Sequence, residues 1–160
     1  MDPAELIAAA KALEPEAQER AGCARPTVSV PPSRVFPLLL ALRDRAGLAF
    51  DMLLAHTAVD RIKDGRLELL WLLASTGEQH ELWVTASVPR EAPEADSVSA
   101  IHPIAEFQER EAYDLFGVRY RGHPDLRRLL LEDSWVGHPL RKDYEDAFML
   151  VKPEVEKLAR

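Results

Sequence analysis

Between Glu109 and Tyr144 the chain concentrates carboxylates, histidines, arginines and aromatic rings. Several chemistries are open to such a set. Glu109, Glu111 and Asp114 could form a proton-transferring pair of carboxylates. Residues two apart on a helix point to different faces, however, so Glu109 and Glu111 cannot serve one substrate together. His123 and His138 recur in two Gly-His-Pro triplets, with Asp125 and Asp143 close by. A metal site built on them lacks a third or fourth ligand at suitable spacing. Gly-His-Pro is also good turn chemistry, because Gly admits positive φ and Pro fixes the φ that follows. A nucleophile is no better supported: Ser134 has no strand-to-helix elbow and Cys23 no activating neighbour. Ion pairing and surface contact remain.

At about 100° per residue, Ile104, Phe107, Glu111 and Leu115 share one helix face, which sets Glu111 inside an apolar stripe. A carboxylate there is costly unless paired. The residues just before Gly117 are mostly acidic, and those after it are basic, with Arg119, Arg121, Arg127, Arg128, Arg141 and Lys142. The expectation is a basic arm folded back and pinned by Glu111, with Arg127 and Arg141, each beside a Gly-His-Pro turn, as preferred partners. The alternative is an exposed Glu111 on a frayed helix end. Tyr113, Phe116, Tyr120, Trp135 and Tyr144 lie among the arginines. Arginine and aromatic side chains are favoured at the centres of protein interfaces. A chain this small cannot bury all of them, which points to permanent assembly.

Periodicity and punctuation define the elements that position these residues. Asp2-Pro3-Ala4-Glu5 predicts a capped helix start, with the helix running to about Arg20. Thr27–Val30 reads as a short strand. Ser33 can cap a second helix to about Ala46, with Val35, Leu38, Leu39 and Leu42 inward and Gly47 as its stop. Three strands follow: Phe50–Ile62, Arg66–Leu73 after a turn at Lys63-Asp64-Gly65, and His80–Val88, where Leu82, Val84, Ala86 and Val88 share a face. Segment 89–96 reads as a polar loop. A third helix starts near Ile101 and stops at Gly117, Val118–Arg121 is a short strand, and Pro124 can open a helix through Leu131. Glu132–Tyr144 is irregular, and Phe148–Val151 is a short apolar run in a polar tail. The order α-β-α-β-β-β-α predicts an α+β fold: a small mixed or antiparallel sheet with helices packed on it, followed by an irregular C-terminal arm. Residues 1–116 form the core and 117–160 a docking arm within the same structural unit.

A chain of 160 residues, 47% apolar and 29% charged, is long enough for one buried core. Its net charge of −7 gives no electrostatic footprint for nucleic acid. No apolar run is long enough to span a bilayer, and the acidic first helix has no signal-peptide layout. The expected place is therefore the cytoplasm, with membrane association only through partners. The single cysteine, Cys23, excludes an internal disulfide and a thiolate-held cluster. There is no G-x-G-x-x-G and no phosphate-binding G-x-x-x-x-G-K-[ST] motif.

Three blocks then carry a family resemblance: Glu109–Gly117 (EREAYDLFG), Gly122–Leu130 (GHPDLRRLL) and Gly137–Tyr144 (GHPLRKDY). In this order and spacing they resemble the C-terminal block of the thirty-kilodalton, or C-type, subunit of respiratory NADH:quinone oxidoreductase (complex I). Residues 27–105 resemble that family only in their pattern of strands and helices. The resemblance implies a non-catalytic structural subunit of the hydrophilic arm, at the cytoplasmic face of the membrane. It would dock against the D-type subunit and the adjacent cluster-bearing subunit, with the iron–sulfur clusters, FMN and quinone all in those partners. The residues implied in docking and in holding the arm are Glu109, Arg110, Glu111, Arg119, Arg121, His123, Arg127, Arg128, Trp135, His138, Arg141, Lys142 and Tyr144. The chain departs from the family pattern at Glu106-Phe107, where Asn-Trp is usual, and after Tyr144. The same blocks occur in the equivalent subunit of membrane-bound hydrogenases and related dehydrogenases, so that reading stays open.

Overall fold

The computed structural model describes residues 1–146; the apolar run 148–151 and the polar tail lie outside the described residues. Helix α1 (Pro3–Leu13) opens with a reciprocal cap, the Asp2 carboxylate accepting from the Glu5 N–H and the Glu5 carboxylate from the Asp2 N–H. It ends well short of Arg20. Pro15 disfavours helical geometry at Glu14, which adopts extended φ/ψ. The chain then turns back as β1 (Gln18–Glu19), antiparallel to β2 (Thr27–Ser29). Ser33 sits inside a 3-10 turn, Pro32–Arg34, and makes no cap for α2 (Val35–Asp44). Val35, Leu38, Leu39 and Leu42 are buried as expected.

Strands β3 (Met52–Arg61), β4 (Arg66–Ala74) and β5 (Glu81–Pro89) form an antiparallel meander, and Gly65 at φ 62° supplies the left-handed residue of the first turn. The five-stranded order is β1-β2-β5-β4-β3, with β2 parallel to β5, so the sheet is mixed. One face carries Val28, Leu67, Leu69, Trp71, Leu73, Leu82, Val84, Ala86 and Val88, all buried. Helices α1 and α2 lie over its β2–β5 end, and α3 (Ala105–Phe116) covers its β3 end. Each buried leucine contributes roughly 1.5–3 kcal/mol, so this layer holds the body together.

Segment 89–96 is more than a loop. It contains β6 (Glu94–Asp96), which pairs in parallel with β7 (Arg119–Arg121), and α3 bridges the two as a small βαβ unit. Strand β7 lies on the arm side of the 116/117 division and pairs with a strand on the core side. Pro124–Leu131 forms no helix, because the N–H groups of residues 129–131 are directed to a side chain of α3 instead.

Candidate docking interface

Helix α3 turns a different face inward from the one its apolar stripe suggests. Ala105, Glu109, Ala112 and Phe116 are buried, while Ile104, Phe107 and Glu111 face solvent. Two alanines let the helix approach β3 closely. Glu109, the carboxylate turned inward, finds two donors. Its Oε2 accepts the Ser97 hydroxyl at 2.6 Å and its Oε1 the Val98 N–H at 2.7 Å. Burial pushes the Glu109 carboxyl up to about 7, partly offset by those two bonds. Behind it the Tyr120 hydroxyl donates to His56 Nε2 at 2.6 Å, and His56 Nδ1–H donates to the Leu70 carbonyl at 2.9 Å. Burial drives His56 down to about 4, and it stacks on Trp71 as a neutral ring.

The anchor of the arm is Asp114, a residue the stripe argument passes over. Its carboxylate is fully buried. Oδ2 accepts three consecutive backbone N–H groups, from Leu129, Leu130 and Leu131, at 3.1, 2.8 and 2.9 Å. Oδ1 accepts Arg128 Nη1 at 2.6 Å. Burial raises the acid's pKa, but the N–H groups of Leu131 and Leu130, then Arg128 and Leu129, outweigh it and hold the carboxyl below the usual range. Arg128 continues to the Trp135 carbonyl at 2.9 Å, so one guanidinium ties three stretches together. His138 Nδ1–H donates to the Asp114 carbonyl at 3.0 Å. On the outer side of α3, Arg110 caps the carbonyls of Arg127 and Arg128 at 3.1 and 2.9 Å.

A second buried carboxylate, Asp60 of β3, holds the far end of the arm. It accepts Arg90 Nε at 2.9 Å and the Lys142 N–H at 2.9 Å, and Arg90 also pairs with Asp143. The Arg90 bonds, against the effect of burial, keep Asp60 low. Arg141 Nε donates to the Phe116 carbonyl at 2.7 Å, and the Leu140 N–H to the Leu115 carbonyl at 3.1 Å. Gly117 is the seat of this contact. Its φ is +78°, and a Cβ there would lie 2.5 Å from His138 Nε2 and 3.0 Å from Arg141 Nη2. Tyr144 packs on Gly137 in the same manner.

The expected pairing of Glu111 with Arg127 or Arg141 does not occur. Arg127 pairs with Asp125 at 2.8 Å on the surface, and Arg141 holds a backbone carbonyl. Arg121 pairs with Asp96 at 2.8 Å, while Arg119 extends into solvent. His123 accepts the Asp125 N–H at Nδ1 and donates from Nε2 to the Glu106 carbonyl, as a turn residue does. Of the aromatic residues, Phe116 and Tyr120 are buried, and Tyr113, Trp135 and Tyr144 are half-buried. Among the described residues no group of three or more His, Cys, Asp or Glu is placed to hold a metal ion, and no helix is long and apolar enough to cross a membrane.

The arm is thus fixed by its backbone and turns apolar side chains outward. Five of the nine large hydrophobic residues exposed among the described residues lie between positions 104 and 140: Ile104, Phe107, Leu130, Val136 and Leu140. Phe107 is 55% exposed and Val136 86%.

Residues 28–147 match the family of the respiratory-chain NADH dehydrogenase 30 kDa subunit. The C-type NADH-quinone oxidoreductase subunit of Moorella thermoacetica is 42% identical over 132 residues, covering 82% of this chain and 88% of that protein. The chain spans about half the length of the C-type subunits of two Salinispora species. The NADH-quinone oxidoreductase subunit of Phocaeicola vulgatus that is designated C/D is 42% identical over 121 residues, covering 75% of this chain and 23% of that one. Among solved structures, a chain of the membrane-bound sulfane sulfur reductase, an archaeal respiratory membrane complex, superimposes with a TM-score of 0.71 at 26% identity, over 89% of this chain and 85% of that one.

Proposed function

This chain belongs to the family of the respiratory-chain NADH dehydrogenase 30 kDa subunit, and from that premise we propose that it is a non-catalytic docking subunit. Its task is to hold together the subunits that carry electrons from NADH to quinone. The observation that carries this reading is the arm: its backbone is locked by Asp114 and Asp60, while its Leu130, Val136 and Leu140 are exposed, as are Phe107 and Ile104 of α3. Rigid presentation of apolar and arginine side chains lowers the ordering cost of association. Arg110, Arg119, Arg121, Arg127, Arg141 and Lys142 supply the polar rim, and Trp135 and Tyr144 part of the contact area. Glu109, His123, Arg128 and His138 act from inside by shaping the arm. Residues 1–116 and the arm from 117 onward work as one unit.

The partner in this reading is a D-type subunit, together with the neighbouring cluster-bearing subunit. The double designation C/D of the Phocaeicola relative supports the first of these, since one chain there carries both letters. Iron–sulfur clusters, FMN and quinone belong to the partners, and the chain sits at the cytoplasmic face of the membrane through them. A second reading is favoured by the likeness to the archaeal sulfane sulfur reductase chain: the equivalent subunit of a membrane-bound hydrogenase or related dehydrogenase complex.

Mild-detergent purification of the tagged chain from native membranes tests both. Recovery with a D-type and a cluster-bearing subunit, plus NADH-oxidising subunits, supports the first. Recovery with hydrogenase-type or sulfur-reducing components supports the second. A chain recovered alone, or one that turns over a substrate unaided, overturns the docking role.

A further inference from the structure

The ion pairs of the arm leave two arginines over. Arg121 is matched by Asp96, Arg127 by Asp125, Arg128 by Asp114, and Arg90 by Asp60 and Asp143. Arg110 is spent on two backbone carbonyls. Arg119 and Arg141 have no carboxylate in an ion pair among the described residues. Both line the same open pocket of about 420 Å³, formed with Glu91, Ala92, Pro93, Glu94, Gly117 and His138.

The geometry of this pocket is set before any ligand arrives. Arg141 is held by its Nε on the Phe116 carbonyl, which leaves its two terminal nitrogens without an acceptor among the described residues. That is the edge a carboxylate binds. His138 forms one wall with its Nδ1 committed to Asp114, and Gly117 forms the floor because any side chain there would strike both. Arg119 stands on β7 with its backbone N–H fixed to the Pro93 carbonyl at 2.8 Å and its side chain exposed. Burial, then the charge of Arg90, pushes the Arg141 pKa down, against the charges of Asp60 and Asp143. A partly desolvated guanidinium with no carboxylate in direct contact is costly, and an incoming carboxylate relieves that cost.

We propose that this pocket is a carboxylate site, filled by an Asp or Glu side chain of the docked subunit that inserts between Arg119 and Arg141. The proposal rests on the docking role above and gives it a chemical anchor. Glu91 and Glu94 are exposed at the rim, and Glu94 stands opposite Arg119 in the β6–β7 register. They select a single carboxylate accompanied by a basic neighbour and turn away polyanions.

Carbodiimide crosslinking of the assembled complex carrying R119K, read by peptide mass spectrometry, tests the site. An amide bond between the amine at position 119 and an Asp or Glu of another subunit is expected. Crosslinks confined to Glu91 or Glu94 of the same chain, or none at all, overturn it. In a second measurement the R119Q/R141Q double variant is compared with R25Q, which removes an arginine matched by Glu81 in the body, outside the docking arm. The double variant should bind its partner about tenfold or more weakly, and R25Q like wild type. If R141Q disturbs the fold, R119Q alone carries the comparison, since no ion pair or hydrogen bond within the chain involves its side chain among the described residues. Equal binding by all variants overturns the pocket and leaves the docking role standing; a wild-type chain that captures no partner overturns both.

Discussion

The body and the arm are stable for different reasons. Under α1, α2 and α3 the sheet buries a continuous apolar layer, from Val28 through Trp71 to Tyr120. Such burial is additive and weakly directional, and tolerates substitutions that conserve volume. The arm from Gly122 to Tyr144 buries little. It is held by directional bonds converging on two buried carboxylates, Asp114 and Asp60, neither of which belongs to it. A layer held by burial needs only the right pattern of apolar residues. A segment held by a few acceptors needs particular atoms at particular places, and returns one fixed shape. That suits a surface whose use is contact with another protein.

The largest test of this contrast is Asp114→Ala. It leaves three backbone N–H groups and the Arg128 guanidinium without their acceptor, and removing one side of a buried pair costs roughly 3–5 kcal/mol. Loss of hydrogen-exchange protection at residues 129–131, with protection retained in β3–β5, is the expected pattern. Leu39→Ala, a cavity in the body, costs a comparable amount, roughly 2–5 kcal/mol, but should lower protection everywhere. If D114A unfolds the sheet to the same degree as L39A, the division between the two regions is false.

The carboxylate buried within the body and the two that hold the arm also answer pH in opposite directions. Glu109 has its folded-state pKa raised to about 7 from an ordinary 4.5, so its contribution is complete below about 4.5 and is lost as pH rises through 7. The limiting loss is on the order of 3 kcal/mol, at about 1.4 kcal/mol per unit. Asp114 and Asp60 are both held below the ordinary carboxylate range, so what they contribute is present above about pH 4 and disappears in acid. Glu109→Gln should therefore gain stability relative to wild type between about pH 5 and pH 8 in denaturant titrations. A constant difference across that range would show Glu109 to be ionised throughout.

How much of this is legible in the sequence follows the same division. Strand β5 declares itself through Leu82, Val84, Ala86 and Val88, and the ends of α1 and α3 through Asp2-Pro3-Ala4-Glu5 and Gly117. Where periodicity misleads, two faces compete. On α3 the stripe Ile104–Phe107–Leu115 is more apolar than Ala105–Ala112–Phe116, and the small residues that mark close packing carry less weight in a hydropathy count. The acidic pin thereby falls on Glu111 instead of Glu109 and Asp114. Pro15 is a local signal that cuts α1 short. No local signal announces that Leu129, Leu130 and Leu131 give up a helical turn for a carboxylate fifteen or more residues back. Bonds of that kind are invisible to any windowed reading, and most of the arm consists of them.

Two glycines sharpen the comparison further. Gly117 and Gly122 both have φ of +78°, so alanine at either meets the same backbone cost, roughly 1–2 kcal/mol. Only at Gly117 would the new Cβ strike the arm, at His138 and Arg141; at Gly122 nothing lies within 4 Å. Gly117→Ala should therefore cost more than Gly122→Ala in thermal denaturation and should also expose the 138–144 segment to protease. Equal melting temperatures would mean that the arm yields without loss at this point.

The smallest effect belongs to the surface pair Arg127–Asp125, both exposed. Exposed ion pairs give back in side-chain entropy and screening most of what they gain. Arg127→Gln should leave the melting temperature of the isolated chain unchanged within error, at low and at high salt. Arg128→Gln, one residue on, removes the charge that meets Asp114 and should lower it measurably. The two arginines are adjacent in one motif and indistinguishable by type or charge. Only the buried acceptor under Arg128 separates them, so if R127Q proves as damaging as R128Q, the arm is held by its overall charge and not by Asp114.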